Sequence, residues 1–319
     1  MHQKSNDIEF QNTLDEFLNK AYSFIKDNSY EWNLKDNVNL EVVDHVIRVR
    51  VQDLTVQKYE KDVIDLYQCQ NPDGGWGNLR DDNESKVRST ALTTQMLIRS
   101  NRILKNKKII DYIDKGLEFI LKKQNEENGW TDPTWHKYDA TSVSVGTLLF
   151  AIKEEFWSKE RYKNSLKRGI DYVLNQRSND TMWYFKKSGS PVTITAHLLP
   201  KCVTYRGVMQ EDFNTVRNLI KLQHNEGHWD KKNVDHTCDA IRAMMLTAGK
   251  AANKELYQEV YESVKKALKW LLLVSKDIGG LGDFPGEKAH VEATCDGIDA
   301  VLKFKQFIKS PSNMINFWS

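Results

Sequence analysis

Apolar residues recur at helical spacing along most of the chain. Leu117, Ile120 and Leu121 share one helix face, as do Leu219 and Ile220. Amphipathic helices of this kind are predicted at residues 8–26, 59–69, 110–124, 164–176, 212–223 and 260–275. Helices richer in small and apolar residues are predicted at 88–100, 139–154, 193–207, 235–249 and 292–306. Because no sustained alternation of period two appears, the pattern predicts an all-α protein.

A five-residue motif with threonine in fourth place marks the start of each small-residue helix. It reads VRSTA, YDATS, VTITA, VDHTC and VEATC, with Thr90, Thr141, Thr195, Thr237 and Thr294 in the fixed position. The threonines are 51, 54, 42 and 57 residues apart, which fits two helices and two turns per repeat. The segment Val43–Ile47 resembles VDHTC with the threonine replaced, so it supplies a sixth copy.

A turn rich in glycine and tryptophan precedes each of the five motifs. The turns read QNPDGGWG, QNEENGW, QRSNDTMW, QHNEGHW and, more weakly, DIGGLGD. Glycine adopts the left-handed backbone that ends a helix, and a large indole covers an exposed helix end. Each turn is therefore predicted to close one helix and to start the next.

Six helix pairs in one continuous repeat predict a single domain over residues 1–319, with the fold of an (α/α)6 toroid of six inner and six outer helices. Residues 1–39 form the first outer helix and its lead-in, 40–306 the repeats and 307–319 a C-terminal tail. In such a ring the inner helices surround a central cavity, and the motifs gather at one rim. We expect the functional site at that mouth.

The composition narrows the class of partner. The formal charge is +2 with no block of like charge, which argues against nucleic acid as a partner. The N-terminus has no signal-peptide pattern and no apolar run is long enough to span a membrane, so a cytoplasmic protein is expected. The four cysteines lack CxxC spacing, which disfavours a disulfide framework or a zinc ribbon. A protein partner remains open.

The second positions of the motifs carry most of the candidate chemistry. They hold Asp44, Arg88, Asp139, Thr193, Asp235 and Glu292. Carboxyl groups crowded around one opening raise one another's pKa, which is how a carboxyl becomes a proton donor near neutral pH. The alternative is helix capping, because Asp and Thr are preferred N-caps. Asp235 is the strongest functional candidate, since His236 is adjacent and Asp239 and Arg242 follow at helical spacing.

The turns and the threonine-containing helices resemble the prenyltransferase and squalene-cyclase repeat over about residues 40–306. Members of that family are α/α toroids that act on isoprenoids. In class II terpene cyclases the middle aspartate of DxDDTA protonates an alkene or epoxide. The segment NVDHTC lies in that register, with Asp235 in the proton-donor position and Asn233 and His236 replacing the flanking aspartates. The resemblance implies that Asp235 is a general acid that His236 orients or reprotonates.

The same resemblance leaves two other functions open. Protein prenyltransferase β subunits bind zinc through positions that fall here on His236, Cys238 and Ala293, of which only the first two have ligand side chains. Zinc or magnesium is thus a candidate cofactor without a complete ligand set. The degraded acid motif and the incomplete zinc triad also fit a non-catalytic toroid that binds a lipid, small molecule or partner peptide.

The leading hypothesis is an isoprenoid-processing enzyme resembling class II terpene cyclases. Its catalytic candidates are Asp235, His236, Asp139 and Glu292. A prenyl diphosphate or prenylated small molecule is the expected ligand, with Arg48, Arg88, Asp44, His197 and Arg242 as binding candidates. Arg48 and Arg50 are two positions apart, so one of them must point away from the cavity. The inner helices carry few aromatic residues, which predicts a cavity more polar than an isoprenoid cyclase would require.

Overall fold

The structure is a computed structural model that describes residues 2–132, 137–153, 160–184, 190–275 and 277–312. This part of the chain forms twelve α-helices and two short 3-10 helices, Ser29–Glu31 and Val56–Tyr59. The α-helices are α1 His2–Asp27, α2 Leu40–Gln52, α3 Glu60–Gln68, α4 Val87–Leu104, α5 Lys107–Lys122, α6 Lys137–Lys153, α7 Glu160–Asn175, α8 Pro191–Arg206, α9 Gln210–Lys221, α10 Val234–Ala251, α11 Lys254–Val274 and α12 Val291–Lys309.

The even-numbered helices form a closed inner ring. Each of α2, α4, α6, α8 and α10 packs against the next even-numbered helix, and α12 returns to pack against α2. The odd-numbered helices cover the outside, with α1 against α12, α5 against α4 and α7 against α6. Near the closure, the backbone N–H of Val291 donates to Glu31 Oε2 at 2.8 Å. The predicted all-α toroid is confirmed.

The tryptophans of the turns cap the outer helices from within the core. Four indoles are fully buried, and each Nε1 donates to the backbone carbonyl ten residues earlier, near the end of the preceding outer helix. The pairs are Trp76 with Leu66 at 3.1 Å, Trp130 with Ile120 at 2.8 Å, Trp183 with Val173 at 2.8 Å and Trp229 with Leu219 at 2.7 Å. Each of these carbonyls also accepts from the backbone N–H three residues later, so the indole adds a second hydrogen bond to the last turn of the outer helix.

The motif threonines tie the turns to the inner helices. The hydroxyl of each threonine accepts a hydrogen bond from the backbone N–H at the tryptophan position, over 2.9 Å for Thr90 and Thr141 and 3.1 Å for Thr195 and Thr237. In the last repeat Leu281 replaces tryptophan and donates to Thr294 at 3.0 Å. The fixed threonine is therefore explained by a repeated structural bond, and it leaves the neighbouring motif positions available to the cavity.

The helix ends differ modestly from the sequence prediction. The last inner helix continues to Lys309, so the first residues of the predicted tail belong to that helix, while 313–319 lie outside the described residues. None of the described helices combines the length and the apolar character that crossing a bilayer demands.

Candidate active site

All six inner helices contribute to a central cavity of about 260 Å³. Its lining is Glu41, His45 and Arg48 from α2; Arg88, Leu92, Gln95, Met96 and Arg99 from α4; Ser142, Val143 and Gly146 from α6; His197 and Lys201 from α8; Asp235, Asp239 and Arg242 from α10; and Glu292, Asp296, Asp299 and Lys303 from α12. Charged side chains predominate. Among the described residues no Phe, Tyr or Trp lines this cavity, which agrees with the expectation of a polar interior.

The lining residues follow one spacing on each inner helix. On α12 they fall at positions 292, 296, 299 and 303, and on α10 at 235, 239 and 242. Steps of four, three and four residues keep side chains on one helix face. Each inner helix thus presents one stripe, and on α4 and α12 it runs from the motif end over roughly 16 Å, for eleven residues at 1.5 Å each.

Arg242 is the centre of a buried ion network. Its Nη1 lies 2.7 Å from Asp296 Oδ1 and 3.2 Å from Asp299 Oδ2, and its Nη2 pairs with Asp239. Arg48 reaches the same Asp296 Oδ1 from α2 at 2.8 Å. Buried charges of this kind are stable only when paired and hydrogen-bonded, so the network fixes the relative positions of α2, α10 and α12.

His197 completes the network on the α8 side. Its Nε2 lies 2.7 Å from Asp239 Oδ2 and its Nδ1 lies 3.5 Å from Asp139 Oδ1. Burial acts to lower the pKa of His197, but the carboxylates of Asp239 and Asp139 outweigh burial and raise that pKa to about 10. Burial acts to raise the pKa of Asp239, and the positive His197 and Arg242 nevertheless hold it below the usual range. Asp239 is therefore an ionised carboxylate.

The pKa of Asp235 is shifted in the opposite direction from that of Asp239. Burial, reinforced by the negative charges of Asp239 and Asp296, raises the pKa of Asp235 well above its usual value. The carboxyl is inside the ring and surrounded by protein, yet its side chain is 45% accessible because it lines the cavity. Arg242 Nη2 is 4.0 Å from Asp235 Oδ1. Capping does not account for Asp235, since Asn233 is the N-cap and accepts from His236 N at 2.8 Å. The cavity face therefore carries a carboxyl that holds its proton more tightly than an ordinary aspartic acid does.

The other rim candidates occupy the α2, α4 and α12 side. Arg88 pairs in a two-pronged arrangement with Glu41, at 2.6 Å and 2.5 Å. Burial, together with the neighbouring Glu41 and Asp296, raises the pKa of Glu292 to about 8. His290, not Glu292, occupies the N-cap position of α12. Glu292 and Arg88 thus both line the cavity mouth, as predicted for the motif ends.

Several predicted residues lie outside the cavity lining. Asp44 is buried against Thr93, whose hydroxyl donates to Asp44 Oδ2 at 3.1 Å. Asp139 is joined to the cavity network through His197, whose Nδ1 lies 3.5 Å from Asp139 Oδ1. Arg50 stacks between the rings of Tyr22 and Tyr59 at 4.7 and 4.6 Å. Of the two closely spaced arginines, Arg48 is therefore the one that faces the cavity.

The two weak metal candidates are also separate from the lining. His236 Nδ1 lies 2.8 Å from Asp230 Oδ2, and Cys238 is fully buried in the hydrophobic core, where burial raises the pKa of its thiol well above the usual value. Within the described chain, neither residue belongs to a convergent group of three or more ligand-type side chains. The histidines that line the cavity are His45 and His197, and each lies near a cavity carboxylate.

Sequence reasoning missed Glu41, His45, Lys201 and Lys303 as lining residues. The signal for them was present in the stripe, because 41, 45 and 48 and also 197 and 201 continue the steps of four and three from named candidates. Continuing these steps along α2, α8 and α12 would have predicted the four residues from the sequence.

No protein-family model matches the chain, and no curated protein is detectably similar in sequence. Among solved structures, a variant of the type II terpene cyclase MstE from Scytonema, with bound geranylgeranyl dihydroxybenzoate, superposes with a TM-score of 0.69 over 94% of this chain and 99% of that one at 13% identity. The chain has the fold of that terpene cyclase.

Two further structures show how widely this fold is shared. A second MstE variant, with the product merosterolic acid A, gives a TM-score of 0.66 at 13% identity and covers 94% of this chain and 99% of that chain. A GH76 α-mannanase from Bacteroides thetaiotaomicron also gives 0.66, at 8% identity, over 94% of this chain and 96% of that chain. The shared architecture is established by these similarities, and the chemistry must be argued from the cavity.

Proposed function

We propose that this protein is a terpene-cyclase-like enzyme that protonates an isoprenoid substrate, with Asp235 as the general acid. The observation that carries the proposal is the contrast on α10: Asp235 faces the cavity with a raised pKa, and Asp239, one turn deeper, is ionised by His197 and Arg242. Two neighbouring carboxyls with separated pKa values divide the roles of acid and anion.

The ionised network has a role once a proton is delivered. Protonation of an alkene leaves a carbocation, and the fixed carboxylates of Asp239 and Asp296 stabilise positive charge nearby. Because Arg242 and Arg48 hold these two carboxylates in place, the carboxylates need little reorganisation during the reaction. In this cavity, carboxylates take the part that aromatic faces would otherwise take. Either carboxylate is also a base for the final loss of a proton.

The cavity restricts the substrate. A volume of about 260 Å³ is near the lower limit of ordinary ligand pockets, roughly 300–1,000 Å³, which favours a short prenyl chain. The lining carries both signs of charge, and the guanidinium groups of Arg48, Arg88 and Arg242 among it can also bind an anionic head group such as a diphosphate. A variant of MstE was solved with geranylgeranyl dihydroxybenzoate. An aromatic carboxylate attached to the prenyl chain is therefore the alternative to a diphosphate head group.

The test uses solvent deuterium. The full-length protein is incubated in D2O with geranyl, farnesyl and geranylgeranyl diphosphate and with geranyl dihydroxybenzoate, and products are identified by mass spectrometry. We expect an isomer of the substrate that carries one solvent deuterium on carbon. Asp235→Asn should abolish it while circular dichroism stays unchanged, and Asp81→Asn, an exposed carboxyl on another part of the surface, should retain it. Turnover by Asp235→Asn, or a product without deuterium, contradicts the assignment.

A second function is favoured by the polar lining. Carboxyls with raised and lowered pKa values also suit hydrolysis of a glycosidic bond, and a GH76 α-mannanase shares the fold. Incubation with α-mannan and aryl α-mannosides tests it, and release of reducing sugar that depends on Asp235 supports the carbohydrate function over the isoprenoid one. A co-purified lipid or peptide without turnover of either substrate class supports the binding-protein alternative.

A further inference from the structure

Three side chains meet at the cavity mouth where the ring closes. Glu41 and His45 are one turn apart on α2, and Glu292 comes from α12, which packs against α2. One ligand atom from each of the three, an imidazole nitrogen and two carboxylate oxygens, lies within 4.8 Å of the other two. All three line the cavity, so an ion from solvent can reach them.

The histidine is held in one tautomer by the backbone. His45 Nδ1 lies 2.7 Å from the carbonyl oxygen of Glu41, and because a carbonyl only accepts, Nδ1 carries the hydrogen and Nε2 keeps its lone pair. The His45 side chain is only 11% exposed, and the sole charged contact of Nε2 among the described residues is Asp296 Oδ2 at 3.8 Å. An imidazole that donates its other N–H to a carbonyl has the arrangement of metal-ligating histidines.

The local charge balance also favours a cation. Glu41 is paired with Arg88 and Asp296 with Arg48 and Arg242. The Glu292 carboxylate forms no ion pair or hydrogen bond with the described residues; Glu41 and Asp296 are close enough to repel it, and Arg88 is close enough to attract it without contacting it. A dication bound by the three side chains would give the Glu292 carboxylate a directly bound positive partner, since the nearby Arg88 is already paired with Glu41.

We infer that Glu41, His45 and Glu292 form a binding site for one divalent transition-metal cation of the Zn²⁺ or Mn²⁺ class. One imidazole with two carboxylates suits these metals, whereas Ca²⁺ and Mg²⁺ prefer oxygen ligands alone. Three protein ligands leave a coordination position facing the cavity, so the bound metal would meet the anionic part of a ligand. The site is separate from His236 and Cys238, and it does not depend on the reaction proposed above.

The test is calorimetric titration of the chelator-treated full-length protein with ZnCl2, MnCl2 and MgCl2. We expect one equivalent of Zn²⁺ or Mn²⁺ and much weaker binding of Mg²⁺. His45→Gln and Glu292→Gln, which keep a polar side chain in place, should each weaken binding at least tenfold. The control is His224→Gln, because His224 is an exposed histidine that does not line the cavity, and it should bind like the wild type. A thermal-unfolding series at one metal concentration should show metal-dependent stabilisation of the wild type and the control, and a smaller stabilisation of His45→Gln and Glu292→Gln.

Substitution of Arg88 should change metal affinity in the opposite direction. Its guanidinium competes with a metal for Glu41, so Arg88→Gln should bind Zn²⁺ more tightly than the wild type, by several fold. A structural disturbance would weaken binding instead. The inference is overturned if no equivalent of metal binds, if binding survives both His45→Gln and Glu292→Gln, or if it is lost in His236→Gln or Cys238→Ala instead. One equivalent of metal in a protein that turns over no isoprenoid supports this site and counts only against the proposed function.

Discussion

His197 Nε2 lies 2.7 Å from Asp239 Oδ2 across the packing of α8 on α10. This pair joins two repeats that the sequence separates by more than forty residues, and it holds Asp239 ionised directly below Asp235. The contrast between the two carboxyls of α10 therefore depends on a histidine from another helix.

The first prediction concerns that histidine. The pKa of His197 is raised in the folded state to about 10, from an ordinary 6.5, so its contribution to stability is fully present below about pH 6.5 and is lost as pH rises towards 10. A tenfold change in proton affinity corresponds to about 1.4 kcal/mol. We therefore expect His197→Gln to lower the free energy of unfolding by a few kcal/mol at pH 6 and by much less at pH 10.

Urea unfolding at a series of pH values measures this difference. His224→Gln, which changes an exposed histidine, should show no comparable pH dependence. An equal loss at both pH values for His197→Gln would mean that packing, and not the ion pair, accounts for the effect.

The second prediction concerns the acid itself. The pKa of Asp235 is raised because burial and two ionised neighbours disfavour its charged form, so the active, protonated enzyme is present at low pH and is lost as pH rises through that pKa. We expect kcat/KM for the deuterium-incorporating reaction to fall with rising pH. Replacing Asp239 by Asn removes one negative neighbour, so the midpoint of the fall should move to lower pH. A flat profile from pH 5 to 9 would contradict a general-acid role for Asp235.

The third prediction concerns the centre of the ion network. Arg242→Met leaves Asp239, Asp296 and Asp299 with buried, incompletely paired charge, which costs about 3–5 kcal/mol of unfolding free energy. Arg217→Met breaks an outer pair with Glu259, where both side chains are about one-third exposed, and should cost about 0–1 kcal/mol. Denaturant unfolding compares them, and losses of similar size would show that the network adds no more than a surface ion pair.

The fourth prediction concerns the repeat bond. Valine has nearly the same shape as threonine, but Thr141→Val removes the hydroxyl that accepts from the buried backbone N–H of Trp130 over 2.9 Å. The free energy of unfolding should fall by about 1–3 kcal/mol because that donor is left unsatisfied. Thr141→Ser keeps the hydroxyl and should recover most of the stability, apart from one methyl group. If Val and Ser destabilise equally, lost packing is responsible and the hydrogen bond is not.

Much of the architecture was accessible from the sequence because it is local and repeated. Helical spacing, glycine turns and the fixed threonine are determined within a few residues, so they predicted the all-α toroid and most helix boundaries. The acidic rim was accessible for the same reason, since Asp235 and Glu292 hold equivalent places in successive motifs. The roles of Trp130 and Thr141 as hydrogen-bonding partners emerged only when both ends of a turn were seen together.

The ion-pair partner of each charged side chain could not be predicted from the sequence. Asp235 and Asp239 lie on one helix and look equivalent in the sequence, yet their pKa values move in opposite directions because Asp239 meets His197 and Arg242 in the ring. Likewise Glu41, His45 and Glu292 converge only because α12 closes against α2, two helices at opposite ends of the repeats. The sequence alone therefore determined the helices, their order and the stripe that each inner helix presents, since these follow from spacing. Ring closure decided which charges face one another, because electrostatic interactions act through space and depend on distances that no single repeat contains.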